Sequence, residues 1–335
     1  MSVVAHPLPR AAPVGHPRPW RMLWITAAWG SCFVAITIAL KDAPVLWLAA
    51  LRALVAGAAV GILVGIQRVP IPRDARTWAL IACLGLLNVA LGFATMFAAA
   101  AGLSTGIASV LANAQPLLIL LPAWWLYSER PSPSAIAAIA VGFTGLLIVV
   151  LPAGLGTGAW VALTSAAATT AGTLISRIVH ADPRFVAAAQ LLIGGAVLAA
   201  TATLAEGPPR IDWTLPFILS LLFLSLIGTA ATTVAWFAET RRARLDTLAA
   251  WTLLVPVYGI LLSQLLMHEA PGLWGWVGTG VVLISMGLLA VESRRRPAAV
   301  PTRSIPGMTI DPATSHPEAP APHGRDHTRP ERKHR

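Results

Sequence analysis

From Met22 to Val291 the sequence is a run of apolar stretches, each close to the roughly 20 residues that a helix needs to cross the hydrocarbon of a bilayer. Few folds tolerate that pattern. A water-soluble chain must cover its core with polar side chains, and here only 11% of residues are charged while 56% are hydrophobic. An ordinary soluble domain is about a quarter charged. The solvent expected for most of this chain is therefore lipid. Alternating segments of about ten residues, the mark of a membrane β-barrel, are absent. The predicted fold class is all-α integral membrane.

Ten spans are expected, at 22–40, 44–66, 77–98, 104–127, 134–151, 157–177, 184–204, 213–238, 245–267 and 272–291. Turn-forming runs separate them, among them Lys41-Asp42-Ala43-Pro44, Gly207-Pro208-Pro209 and Ala270-Pro271-Gly272. Trp47, Trp78, Trp124, Trp125, Trp213, Trp274 and Trp276 fall near span ends, where an amphipathic indole favours the headgroup level. Residues 1–21 hold five prolines and three arginines without the apolar core of a signal peptide, and read as a disordered cytoplasmic lead-in. Residues 292–335 read as a disordered cytoplasmic tail. Its His316, His323, His327 and His334 lack regular ligand spacing, so no metal site is expected. Cys32 and Cys83 lie in apolar stretches without CxxC spacing and are expected to pack rather than to pair.

The net charge of +10 divides into +3 before residue 22, +3 from 22 to 291 and +4 beyond. Charge spread so thinly beside spans orients a membrane protein, whereas a nucleic-acid partner calls for a continuous basic face. With the amino terminus in the cytoplasm, sixteen arginines fall on the inside, against Lys41 and Arg210 outside. The expected location is the plasma membrane, multi-pass, with both termini cytoplasmic.

The chain also repeats itself. Pro116, Glu129 and Pro131 recur as Pro256, Glu269 and Pro271, each displaced by 140 residues. At that offset Gly85, Asn88, Gly92 and Thr95 align with Ser225, Gly228, Thr232 and Ala235, a stripe of small or polar residues at 3-4-3 helical spacing. Arg52 aligns with Gln190 at an offset of 138. Five spans per half is an odd number, so the second copy must lie upside down relative to the first. Inverted repeats of this kind build alternating-access transporters, with the substrate site near the midplane between halves.

The Trp29-Gly30-Ser31-Cys32-Phe33-Val34-Ala35-Ile36 of span one resembles the EamA family of the drug/metabolite transporter superfamily. So do Leu51-Arg52, Gln115-Pro116, Ser128-Glu129-Arg130, Val255-Pro256 and His268-Glu269-Ala270-Pro271. The resemblance covers nearly all of 22–291. It implies ten helices as two inverted five-helix repeats, at 22–151 and 157–291, and small-metabolite transport, most often export. Cys32 stands where family members typically carry Asn, so the polar contact of that Asn is not carried over.

Candidate site residues follow from what is costly in lipid. A proline inside a helix frees the carbonyl four residues earlier, so Pro116 and Pro256 free those of Ala112 and Thr252 and are expected to kink their helices beside the cavity. Arg52 is the basic residue well inside a span. It either holds an anionic group or a helix-end carbonyl, or it snorkels outward. Asn88, Asn113, Gln115, Thr169, Gln190 and Thr232 supply deep polar groups, and Trp29, Trp251 and Tyr258 are deep aromatics able to stack on a substrate or to pack. These residues are the expected substrate-binding set. Gly57, Gly61 and Gly65 form a double GxxxG face expected to meet another helix.

No Asp or Glu falls at mid-span, and Glu129, Glu239 and Glu269 sit at span ends. Proton coupling, if present, must use one of these, a non-carboxylate route or the substrate itself. Gly102-Leu103-Ser104-Thr105-Gly106 satisfies GxSxG, but it joins two spans instead of forming a strand-to-helix elbow. An enzyme is therefore not expected, an intramembrane hydrolase being the least favoured class. No phosphate-binding loop is present, so ATP is not the driving force within this chain, and no cofactor is expected. The expected function is a secondary transporter exporting small metabolites of the amino acid or analogue class by alternating access, with a passive channel as the alternative. The expected partners are a small-molecule substrate and the lipid bilayer, not nucleic acid; homodimerisation is left open.

Overall fold

The computed structural model describes residues 16–127, 133–150, 157–268 and 272–295. Expectations for Glu129, Pro131, Glu269 and Pro271, for the first fifteen residues, and for the tail from 296 with its four histidines lie outside the described residues. Among the described residues every regular element is a helix.

The helices start where the chain supplies the right end groups. α1 (Pro19–Ala39) and α8 (Pro183–Ala205) open on proline, which fills a first-turn position that has no amide to satisfy. α3 (Ala75–Gly102) is capped by Asp74, which accepts from the Thr77 amide at 2.8 Å, and α9 (Leu215–Thr240) by Thr214, which accepts from the Phe217 amide at 3.2 Å. With α2 (Val45–Ile66) and α7 (Thr157–Ser176), these make six helices long and apolar enough to cross a membrane. α6 (Pro133–Val150) and α12 (Gly272–Arg295) pack along one another.

Two kinds of irregularity interrupt the helices, and each occurs twice. α3 winds as a π-helix over Gly85–Leu91, and α9 does so over Phe223–Ala231. α4 (Thr105–Ala112) stops before α5 (Gln115–Tyr127), and α10 (Leu245–Thr252) stops before α11 (Leu254–Met267). The breaks at Asn113 and Leu253 lie 140 residues apart. Pro116 and Pro256 were expected inside kinked helices. Instead each helix ends four residues ahead of its proline, which then occupies the first turn of the next helix, where its missing amide costs little.

The packing is paired in the same way. α2 lies along α8; α1 crosses α11 as α7 crosses α4 and α5; α8 crosses the π segment of α3 as α2 crosses that of α9. Between α2 and α8 an added Cβ on Gly57 would lie 2.9 Å from the Leu192 side chain, and one on Gly195 would lie 2.9 Å from that of Leu54. Both contacts interchange under the 138-residue offset that relates Arg52 to Gln190. The GxxxG face of α2 meets its neighbour only through Gly57, because Gly61 and Gly65 have no atom within 4 Å of an added Cβ. That is a correction: the face beyond Gly57 looks onto open space, so its two further glycines bring no helix close.

Candidate functional site

α1, α2, α3, α7 and α9, with the break between α4 and α5, enclose a cavity of about 840 Å³, counted with the open space at its mouth. α1 contributes Trp29, Cys32 and Phe33; α3 contributes Asn88, Phe93 and Met96; α7 contributes Ser165, Thr169 and Thr173; and α9 contributes Gly228, Thr229, Thr233, Trp236 and Phe237. Arg52 enters from α2, and Ala112, Asn113 and Gln115 stand at the helix break. Trp29 and Trp236 form one wall, their ring centroids 5.1 Å apart at 59°.

Arg52 is 3% exposed and does not snorkel. Its Nε donates to Thr229 Oγ1 at 2.7 Å, and its Nη2 donates to Gly228 O at 3.3 Å and to Cys32 Sγ at 3.6 Å. The guanidinium carbon lies 4.6 Å from the Phe93 ring centroid and 5.6 Å from that of Phe97, close enough for cation–π attraction. Nη1 is buried without a hydrogen-bond partner. The π segment of α9 shapes this seat: Thr229 Oγ1 donates to Leu224 O five residues back, at 2.8 Å. A side chain on Gly228 would run into Cys32 Sγ, so glycine is what lets α1 and α9 close around the arginine.

Four further polar side chains of the lining each give a hydrogen bond to the protein. Asn113 Nδ2 donates to Ser109 O at 2.7 Å, Gln115 Nε2 to Thr173 Oγ1 at 2.9 Å, Ser165 Oγ to Gly92 O at 2.9 Å and Thr169 Oγ1 to Ser165 O at 3.0 Å. Ser165 and Thr169 are left with oxygen lone pairs, while the Asn113 and Gln115 amides keep a carbonyl oxygen and a second N–H. Asn88 is pinned against α7, where an added Cβ on Gly172 would lie 2.9 Å from its side chain. Among the described residues no group of three His, Cys, Asp or Glu side chains is close enough to hold a metal ion.

Of the residues expected to bind substrate, Trp29, Arg52, Asn88, Asn113, Gln115 and Thr169 line this cavity, and Gln190, Thr232, Trp251 and Tyr258 do not. Gln190 is buried where α8 crosses the π segment of α3, its Oε1 unpartnered. Thr232 is buried and donates to Thr229 O at 3.2 Å. Trp251 packs on the main apolar cluster. Tyr258 packs on α1, its Cβ 2.5 Å from where a Cβ on Gly30 would stand.

The residues that sequence reasoning passed over include Phe93, Met96, Thr233 and Trp236, and one cause accounts for all four. A strict α-helical stripe continues from Asn88 to Gly92 and Thr95, and from Gly228 to Thr232 and Ala235. The π turn absorbs one extra residue, so the face beyond it shifts by one position, to 93 and 96 in α3 and to 233 and 236 in α9. The repeat itself carried a usable signal, because Met96 and Trp236 are 140 residues apart, as are Phe93 and Thr233.

Polar contacts tie the bundle at both ends. At one, Arg21 pairs with the fully buried Glu239 at 2.8 Å, Arg241 donates to the Val179 and Ala181 carbonyls, and Arg184 donates to Gln67. There the hydrogen bonds from Arg184 also hold the Asp182 carboxyl below the usual carboxylate range. At the other, Glu206 accepts from the Leu46 and Trp47 amides, and Thr214 Oγ1 donates to Asp42 at 2.7 Å.

Comparison with known proteins agrees with this architecture. The model of the EamA-like transporter family matches residues 21–151 and again 156–291. An uncharacterised transporter of Bacillus subtilis, YvbV, is 27% identical over 285 residues, spanning 83% of this chain and 93% of that protein. A probable amino-acid metabolite efflux pump of Salmonella typhimurium is 29% identical over 285 residues, spanning 79% of this chain and 91% of the pump. A solved crystal structure superposes with a TM-score of 0.69 at 20% identity, covering 86% of this chain and 99% of its own, which speaks for the fold. Two matches of one family model, covering most of a chain with six helices long and apolar enough to cross a membrane, show that the protein is a multi-pass membrane protein belonging to the EamA-like transporter family.

Proposed function

We propose that this protein is a secondary transporter that exports a small polar or zwitterionic metabolite, of the amino acid or analogue class, from the cytoplasm by alternating access. The reading joins α4 with α5 and α10 with α11 as two broken spans. Ten spans then form two inverted five-helix repeats, with both termini cytoplasmic.

One observation carries it: the cavity is built from repeat mates. Trp29 and Thr169, Phe33 and Thr173, Asn88 and Gly228, Phe93 and Thr233, and Met96 and Trp236 are each 140 residues apart, and all ten line the cavity. A site straddling the axis between two repeats changes its access when one repeat rocks against the other. The substrate class draws on the cavity's mix of one cation, several oxygen acceptors and aromatic walls, and on the efflux pumps among the relatives.

Counterflow in proteoliposomes tests the proposal, using a panel of labelled metabolites with and without a pH gradient. Saturable exchange for one chemical class is the expected result, and its insensitivity to the gradient would match the lack of a mid-span carboxylate in the sequence. Flux that rises linearly with concentration would instead make the protein a passive channel.

A further inference from the structure

We infer that Arg52 is a carboxylate anchor: Nη1 takes an oxygen of an anionic group on the ligand, and the cavity selects small molecules that carry a carboxylate beside a hydrogen-donating group such as an ammonium. The inference rests on the reading of this cavity as the transport site.

Arginine has five N–H groups and cannot shed its charge. Nε and Nη2 are bound to Thr229, Gly228 and Cys32, all uncharged partners, and Nη1 is buried with none. No ion pair to Arg52 occurs among the described residues; Glu239 is held by Arg21 and Asp182 by Arg184. A cation that is 3% exposed, inside a protein surrounded by lipid, thus stands without a counter-ion. The Phe93 and Phe97 faces offset part of that cost but cannot neutralise the charge. A carboxylate brought by the ligand does so, and adds a charge-assisted bond to the one nitrogen left unspent.

The rest of the cavity fits the other end of such a molecule. Asn113 Oδ1, Gln115 Oε1 and Thr169 Oγ1 are oxygens able to receive hydrogen bonds from a ligand, the Thr169 proton being given to Ser165 O. A ligand with no donor leaves these oxygens without a partner. A purely cationic one meets the arginine. The combination that satisfies both ends is an anion and a donor on one small skeleton, with any apolar remainder against Trp29 and Trp236.

Cys32 lines the cavity 3.6 Å from Nη2 but is 2% exposed, so ligand protection of its alkylation is paired with the ligand-induced rise in unfolding temperature, which needs no reactive thiol and is scored in the same way. In the purified Cys83→Ala protein, alkylation of Cys32 by N-ethylmaleimide is followed by mass spectrometry in the presence of each common L-amino acid or of its carboxamide. At least one free acid should slow the reaction by about fivefold or more at saturation, and its amide should leave the rate unchanged. Arg52→Gln should weaken protection by the acid at least about tenfold, and Arg52→Lys should restore part of it. Failure of every acid to protect, equal protection by acid and amide, or native protection in Arg52→Gln would each overturn the anchor. If Arg52→Gln does not fold, the acid and amide comparison decides alone, since it uses the native arginine. Saturable counterflow of a neutral or cationic metabolite, with no acid protecting, would fell the anchor and leave the transporter reading standing. Acid-specific protection beside unsaturable flux would do the reverse.

Discussion

Asn113 ends α4 at φ −103° and ψ 26°, and its Nδ2 satisfies the Ser109 carbonyl, one of those a helix end leaves open. That bond fixes the amide and commits one of its two N–H groups to the protein. Asn113→Leu removes both the acceptor and the cap, and should raise the half-saturation concentration for transport about tenfold, the size of one lost polar contact in a dry site. Thr232→Val is the control, because Thr232 is buried and not part of the cavity lining, its hydroxyl bonded to the Thr229 backbone. It should cost about 1 kcal/mol of stability and leave half-saturation unchanged. Equal effects on transport, measured in the same proteoliposomes, would take the cavity off the transport path. The contrast also marks what was legible. The rarity of Arg52, Asn88, Asn113 and Gln115 in an apolar interior singled them out, since polar groups in lipid need a reason. Thr232 and its neighbour Thr233 differ only by helical phase, and composition does not record phase.

The π segments are where that phase is set, and each sits in the middle of a helix whose apolar length was plain in the sequence. Nothing in Gly85–Leu91 or Phe223–Ala231 as residue types separates π from α winding; the seven- and nine-residue segments are specified by what crosses them. α8 crosses the first and α2 the second, so the cause is tertiary. Because the π turn absorbs one extra residue, deleting Leu226 should return α9 to α-helical winding with Trp236 still facing Trp29, and transport should persist. Loss of transport in a deletion variant that still inserts would show that the π winding itself, which sets the Thr229 bond to Leu224 O, is required. Helix crossings make a second, thermodynamic test. A Cβ on Gly30 would stand 2.5 Å from Tyr258 Cβ and 2.7 Å from Val255 O, whereas one on Gly61 meets nothing within 4 Å. Gly30→Ala should therefore cost about 1–3 kcal/mol in detergent unfolding by overpacking the crossing of α1 and α11, and Gly61→Ala should cost nothing.

At the scale of the molecule, the charged residues sort by end. Arg21, Arg184 and Arg241 join one end of the bundle to Glu239, Gln67 and the 179–181 carbonyls, while Asp42 and Glu206 serve the opposite end through Thr214 and the first amides of α2. The arginine-rich end gathers loops that the charge count assigns to the cytoplasm, and the loops carrying Lys41 and Arg210 belong to the other. Reversing the protein would translocate the arginines, which insertion disfavours. Thiol labelling of cells with a membrane-impermeant reagent tests this, using Arg73→Cys and Arg210→Cys in a Cys32→Ala, Cys83→Ala background. Both positions are exposed, and Arg210 is a better choice than nearby Gly207, whose φ of 77° strains any side chain. The Arg210→Cys variant should label on intact cells, and the Arg73→Cys variant only after permeabilisation. The reverse pattern would put both termini outside, and with them the arginine-rich end, so that the direction of export would have to be argued again from the opposite face.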